Sequence, residues 1–81
     1  MTFLTRENCH LCDDAREVLE AITDDIGLQV NEVDVDSDEE LTKLYGLRVP
    51  VVLASHQRVI AEGIIDDKRT LKDQIEKMLG I

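Results

Sequence analysis

The sequence predicts an α/β chain: a mixed four-stranded sheet flanked by helices, in the order β-α-β-α-β-β-α. Three observations carry this. Leu11, Ala15, Val18, Leu19, Ile22 and Ile26 recur at three- and four-residue steps, the spacing of one buried helical stripe. Short apolar runs at Thr2 to Thr5 and Val51 to Leu53 have the length of strands. Gly27, Gly46 and Gly80 each follow the last periodic residue of a helical segment, where a C-cap is expected.

The elements follow in order. Thr2 to Thr5 is the first strand, and the stripe from Leu11 to Ile26 the first helix, stopped by a left-handed Gly27. Leu28 to Asp36 alternates with period two, with one slip of phase near Asn31, and predicts a second strand. Ser37 and Glu40 have the spacing of a capping box for a short second helix with Leu41, Leu44 and Tyr45 inward. Val51 to Leu53 is a central strand and Arg58 to Glu62 its partner, with His56 and Gln57 at the turn. Asp66 or Asp67 caps a last helix that carries Leu71, Ile75, Met78 and Leu79 inward and ends at Gly80. Strands joined through a helix should be parallel, and strands joined by a short turn antiparallel. That order, with helices on both faces, is the thioredoxin fold.

With 81 residues, 43% of them apolar, the chain has room for one modest core, and residues 1–81 are expected to form a single domain. Phe3 and Tyr45 are its only aromatic residues, so the core must be aliphatic. Eighteen acids against nine Lys and Arg give a formal charge of −9, which repels phosphate backbones and anionic lipid. Nucleic-acid and membrane partners are therefore not expected, and no apolar run has the length of a membrane span. The first residues lack the apolar stretch of a secretory signal. The expected location is the cytoplasm, where lasting structural disulfides are rare. Two cysteines there call for a chemical explanation.

Cys9-His10-Leu11-Cys12 stands where the first strand gives way to the first helix. At a helix N-terminus the free N–H groups and the macrodipole favour an anion and lower a thiol pKa. Cys12, one turn on, is near enough to resolve a mixed disulfide formed at Cys9. A purely structural bridge closing so short a loop would yield only about 2 kcal/mol before strain. Zinc needs four ligands, and only His10 and His56 stand beside the two cysteines, so no metal is expected. Asp13, not His, follows Cys12, which excludes haem attachment. Asp34, Asp36 and Asp38 have the spacing of a calcium loop, but Glu39 and Tyr45 occupy places that need Gly and Glu.

Pro50, the only proline, opens a predicted central strand, a place that tolerates Pro as first residue. From base frequencies alone its bond with Val49 is expected to be trans.

Cys9-His10-Leu11-Cys12 after a short strand, Tyr45-Gly46-Leu47-Arg48-Val49-Pro50, and Gly63 before Asp66-Asp67 together resemble a glutaredoxin, above all the short bacterial glutaredoxin-like proteins with a Cys-His-Leu-Cys motif. The resemblance runs over essentially the whole chain. It implies a cis Val49–Pro50 bond facing the cysteines, with the Val49 backbone pairing in a strand-like way with bound glutathione or peptide. It implies glutathione as a co-substrate that is not tightly bound, with Arg6 holding one carboxylate and the segment around Asp66 and Asp67 the tripeptide's other end. The sequence departs from the family pattern at Ile64 for a second Gly, at Arg48 for a Thr, and at His10-Leu11 for Pro-aromatic.

His10 is either a tuner of the Cys9 thiolate or an exposed side chain at a helix start. Asp13 and Asp14 act against a low thiol pKa by their charge. Arg6 and Arg48 are either anion contacts or solvated surface charges. Taken together, the chain is expected to be a monomeric thiol–disulfide oxidoreductase acting through Cys9 and Cys12 on disulfide-containing proteins or small disulfides. The rival reading is a binding module of the same fold that shares an iron–sulfur cluster between two copies or recognises a protein partner without turnover.

Overall fold

The structure, a computed structural model, describes residues 1–54 and 58–80. The expected turn at His56 and Gln57 lies outside them, as does the side chain of Leu79. Strand β1 (Thr2–Thr5) runs inside the sheet, between β2 (Asn31–Asp34) and β3 (Val51–Leu53), and β4 (Val59–Glu62) follows β3, for the order β2-β1-β3-β4. β1 and β2 are parallel because helix α1 (His10–Ile26) carries the chain back between them; β3 is antiparallel to both β1 and β4. This is the mixed four-stranded sheet that the sequence predicts.

Period-two alternation sorts the strand side chains into two cores. Phe3, Val52 and Ile60 pack with Ala15, Leu19 and Ile22 of α1 and with Leu71 and Ile75 of helix α3 (Lys68–Leu79). Leu4, Val51 and Leu53 point the other way, onto Val35 and Tyr45, with Leu41 of helix α2 (Glu39–Tyr45) packed at the margin. Helices thus cover both faces, α1 and α3 one, α2 the other.

The helix ends follow from their residues. Gly27 and Gly80 terminate α1 and α3 at φ of 70° and 74°, the left-handed region that only Gly enters freely. Gly46 ends α2 without that turn, at φ −55°; an added Cβ would lie 2.5 Å from the Thr42 carbonyl oxygen.

Three expectations are corrected. The second strand is shorter than the Leu28 to Asp36 alternation implies. Leu28 and Val30 are half-buried against the α1–α3 core without pairing, and Val35 begins a 3₁₀ turn (Val35–Ser37). That turn forms because the Asp34 carboxylate accepts from the Asp36 N–H at 2.9 Å, pulling the chain out of the strand. The cap of α2 is Asp38, which accepts from the N–H groups of Glu40 and Leu41; the Ser37 hydroxyl donates instead to the Asp34 carbonyl at 2.6 Å. Leu44 is 50% exposed and so does not join the inner face of α2.

A chain of 81 residues has about 4–12 kcal/mol of stability, so one core deletion is a large part of it. Ile75 is 0% exposed and Leu47 is 99% exposed. Ile75→Ala should lower unfolding stability by about 2–5 kcal/mol, and Leu47→Ala by less than about 0.5 kcal/mol, read from urea midpoints. Equal losses would mean that α3 is not packed as described.

Candidate active site

The strand register brings the segments that carry Arg6, Cys9, His10, Val49 and Pro50 to one end of the sheet, whereas Asp66 and Asp67 stand at the start of helix α3, where Lys68 pairs with Asp25 of the last turn of α1 at 2.7 Å. Leu4 faces Val51 and Val51 faces Glu62, so the segments after β1, before β3 and after β4 emerge together. Parallel pairing of Thr5 with Asp34 adds the start of the 3₁₀ turn. Cys9, Pro50 and Gly63 belong to these three segments. The Gly63 N–H donates to the Pro50 carbonyl at 2.9 Å, joining two of them. The Val49–Pro50 bond is cis, as the resemblance implies and against the expectation from base frequencies. Pro50 is buried and Val49 half-buried.

The turn into α1 rests on a residue that the sequence reading passed over. Asn8 has φ 58°, the left-handed region in which Asn is enriched among non-Gly residues, and it turns the chain from β1 into the helix. An Asn immediately before the first Cys was the available signal. Cys9 follows in extended conformation as the N-cap of α1, and its Sγ accepts from the Cys12 N–H at 3.1 Å. A cap position is normally filled by a side-chain oxygen; here sulfur takes it. Cys9 and Cys12 are joined in a disulfide, with Cα atoms 5.2 Å apart. Cys9 is half-buried, whereas Cys12 is only 1% exposed.

The charged neighbours are engaged with one another. Arg6 donates from Nε to Asp36 at 3.0 Å and from Nη1 to the Gly46 carbonyl at 3.1 Å, tying the end of β1 to the 3₁₀ turn and to the end of α2. Arg16 reaches Glu32 at 2.7 Å and Asp13 at 2.8 Å; these partners, Glu32 first, hold its guanidinium well above its usual pKa. The Asp13 charge is thereby partly offset beside the cysteines. Arg48 pairs with Glu62 at 2.7 Å and lies 5.1 Å from the Tyr45 ring centroid. Arg6 and Arg48 each face a protein carboxylate, Asp36 and Glu62 respectively. The Val49 N–H, expected to pair with a ligand, donates to the Tyr45 carbonyl at 3.1 Å. His10, the first residue of α1, is exposed beside Cys9.

Beyond β4, Ile64 is 72% exposed and Ile65 is buried in the core. Asp66 is exposed. Asp67 caps α3, accepting from the N–H groups of Arg69 and Thr70 and from the Thr70 hydroxyl. A cavity of about 300 Å³ lies here, with Asp66 and Asp67 among its lining residues. Among the described residues, no group of three or more His, Cys, Asp and Glu side chains is placed to hold a metal ion, and no helix is long and apolar enough to cross a membrane.

The Glutaredoxin-like domain (DUF836) family matches residues 1–80. The chain belongs to this glutaredoxin-like family. The X-ray structure of Northeast Structural Genomics target protein XcR50 from X. campestris is similar to it, with 32% identity, a TM-score of 0.79, and coverage of 94% of this chain and 95% of that one. No curated protein matches the sequence. The glutaredoxin-like chain therefore has a thioredoxin-like fold, with its Cys-x-x-Cys pair oxidised at the start of α1.

The cap of α3 has a pH signature. The Thr70 hydroxyl, then the Thr70 N–H, hold the Asp67 carboxyl below its usual value of 3.8. A depressed carboxyl pKa contributes stability above the unfolded-state value and loses it as pH falls through the folded-state value. Asn also caps but does not titrate. The melting-temperature difference between the native chain and Asp67→Asn should be constant above about pH 5 and shift against the native chain below about pH 4. A difference that stays flat through that range would show that the ionised carboxylate is not what stabilises the cap.

Proposed function

We propose that this glutaredoxin-like chain is a thiol–disulfide oxidoreductase in which Cys9 attacks and Cys12 resolves. The observation that carries the proposal is the unequal access to two bonded sulfurs: Cys9 is half-buried at a helix N-terminus, and Cys12 is 1% exposed beneath it. In the reduced protein the Cys12 N–H and the positive end of α1 stabilise a thiolate at Cys9 more than a thiol. That thiolate bonds to one sulfur of a substrate disulfide, and the substrate's S–S bond breaks. The other substrate sulfur leaves as a thiolate and takes a proton. Cys12 then loses its proton and displaces the substrate sulfur from Cys9, closing the Cys9–Cys12 disulfide. Two electrons and two protons pass to the substrate. Glutathione or a protein reductase restores the dithiol, and the substrates are disulfide-containing proteins or small disulfides in the cytoplasm.

Cys12→Ser should accumulate a mixed disulfide on Cys9, visible by intact mass, while Cys9→Ser abolishes exchange. In the reduced native chain, iodoacetamide should modify Cys9 at least about tenfold faster than Cys12 near neutral pH. A trap on Cys12 would reverse the roles, and the absence of any mixed disulfide would sink the exchange reading.

A further inference from the structure

Resolution at Cys12 asks more of the protein than attack at Cys9. Cys12 is buried on the inner face of α1, and its sulfur has to become a thiolate before it displaces a substrate from Cys9. Burial disfavours a thiolate unless a hydrogen-bond donor meets it. The charged groups packed about α1 are engaged elsewhere. Arg6, beyond β1, is paired with Asp36, and Arg16 holds Asp13 and Glu32 of β2. The Asp34 carboxylate accepts from the Asp36 N–H. Lys68, Arg69, Lys72, Asp73 and Glu76 of α3 gather with Asp25, in the last turn of α1, about 20 Å along the helix from Cys12. Lys77 pairs with Asp73. On α1 itself, His10, Asp14 and Glu17 are exposed.

Thr5 is the one buried polar side chain among the described residues, 5% exposed at the end of β1. Its place follows from the sheet. Phe3 pairs with Val52 and both enter the α1–α3 core; Leu4 pairs with Val51 and both enter the other. Period two therefore turns Thr5 to the α1 side, two residues beyond Phe3. Helix α1 runs back against β1 and sets Ala15, Leu19 and Ile22 about Phe3. Two strand residues advance about 6.7 Å, the rise of roughly four residues of helix. That offset carries the contact toward the start of α1, where the inner-face residues are Cys12 and Ala15. Among the described residues the Thr5 hydroxyl donates to no acceptor. No fully buried side-chain oxygen there lacks a partner, so this hydroxyl keeps a margin of solvent contact.

We propose that Thr5 meets the resolving sulfur, its hydroxyl donating to the Cys12 thiolate as that thiolate forms. The proposal rests on the exchange reading and assigns the donor for its second step. The Cys12 proton leaves to water, Cys12 Sγ bonds to Cys9 Sγ, and the bond from Cys9 to the substrate sulfur breaks. The substrate sulfur departs with the electron pair and takes a proton from water. The Thr5 hydroxyl keeps its own proton throughout.

The test uses the full chain, reduced and freed of reductant, mixed with dithiobis(nitrobenzoate) in stopped flow. Attack by Cys9 releases one thionitrobenzoate at a rate that grows with reagent concentration; displacement by Cys12 releases the second at a rate that does not. Thr5→Val keeps the branched shape and removes the hydroxyl. It should slow the second release about tenfold or more where Cys12 is protonated, and raise the midpoint of its pH profile by about one unit. The first release should stay within about twofold of native, since Cys9 has its own donor in the Cys12 N–H. Thr5→Ser keeps the hydroxyl and should hold the second release within about threefold of native. A Thr5→Val chain that resolves at the native rate with an unmoved profile would overturn the proposal. So would Val and Ser variants that slow alike, or a slowing shared by both releases; in each case the exchange reading stands. Release of only one thionitrobenzoate by the native chain would instead overturn the exchange reading, and the proposal with it.

Discussion

Everything at the site depends on β1 being buried on both faces. Phe3 and Leu4 are each 1% exposed, one in the α1–α3 core and the other in the α2 core. Full burial of such side chains is worth about 1.5–3 kcal/mol each. A one-residue slip would exchange the two cores' side chains, so the register is strongly specified. β1 also pairs with a strand on each side, which leaves its C-terminal end one direction in which to leave the sheet. Asn8 turns the chain there, and Cys9 starts a helix whose inner face must return over Phe3. The place of the sulfur is therefore a consequence of packing several residues away.

Around that sulfur the protein uses its charges to hold itself together. Arg6 links the end of β1 to two elements on the α2 side, and Arg48 links the segment before Pro50 to the end of β4. Exposed pairs of this kind contribute little to stability individually. Their effect is positional: with the Gly63–Pro50 hydrogen bond, they set three loops in a common frame about the cysteines. The same engagement changes what the frame attracts, since a guanidinium that faces a protein carboxylate presents less charge to a ligand.

The sequence made the fold legible wherever a period was clean. The stripe from Leu11 to Ile26, the run at Val51 to Leu53 and the αL glycines at 27 and 80 all stand where the spacing puts them. It misled where local hydrogen bonding competed with the period. Leu28 and Val30 keep the apolar alternation because they meet the α1–α3 core, yet among the described residues no neighbouring strand pairs with them. Asp38 outcompetes Ser37 as a cap, since Ser37 finds a nearer carbonyl. At the site, the cysteine pair and its place at a helix start were readable from spacing. The partners of Arg6 and Arg48 were not, because Asp36 lies 30 residues from Arg6 and Glu62 lies 14 from Arg48. Only the sheet register brings them together.

The sulfur cap also closes a thermodynamic cycle. The Cys12 N–H reaches Cys9 Sγ only when α1 is formed, and a thiolate accepts such a bond more strongly than a disulfide sulfur does. Whatever free energy the folded helix end contributes to the reduced form over the oxidised form must appear twice. It raises the tendency of the folded pair to take up electrons, and it enlarges the stability of the reduced chain relative to the oxidised one by the same amount. Folding and reduction of the cysteine pair are two sides of one box, and the cap bond lies on the edge that they share.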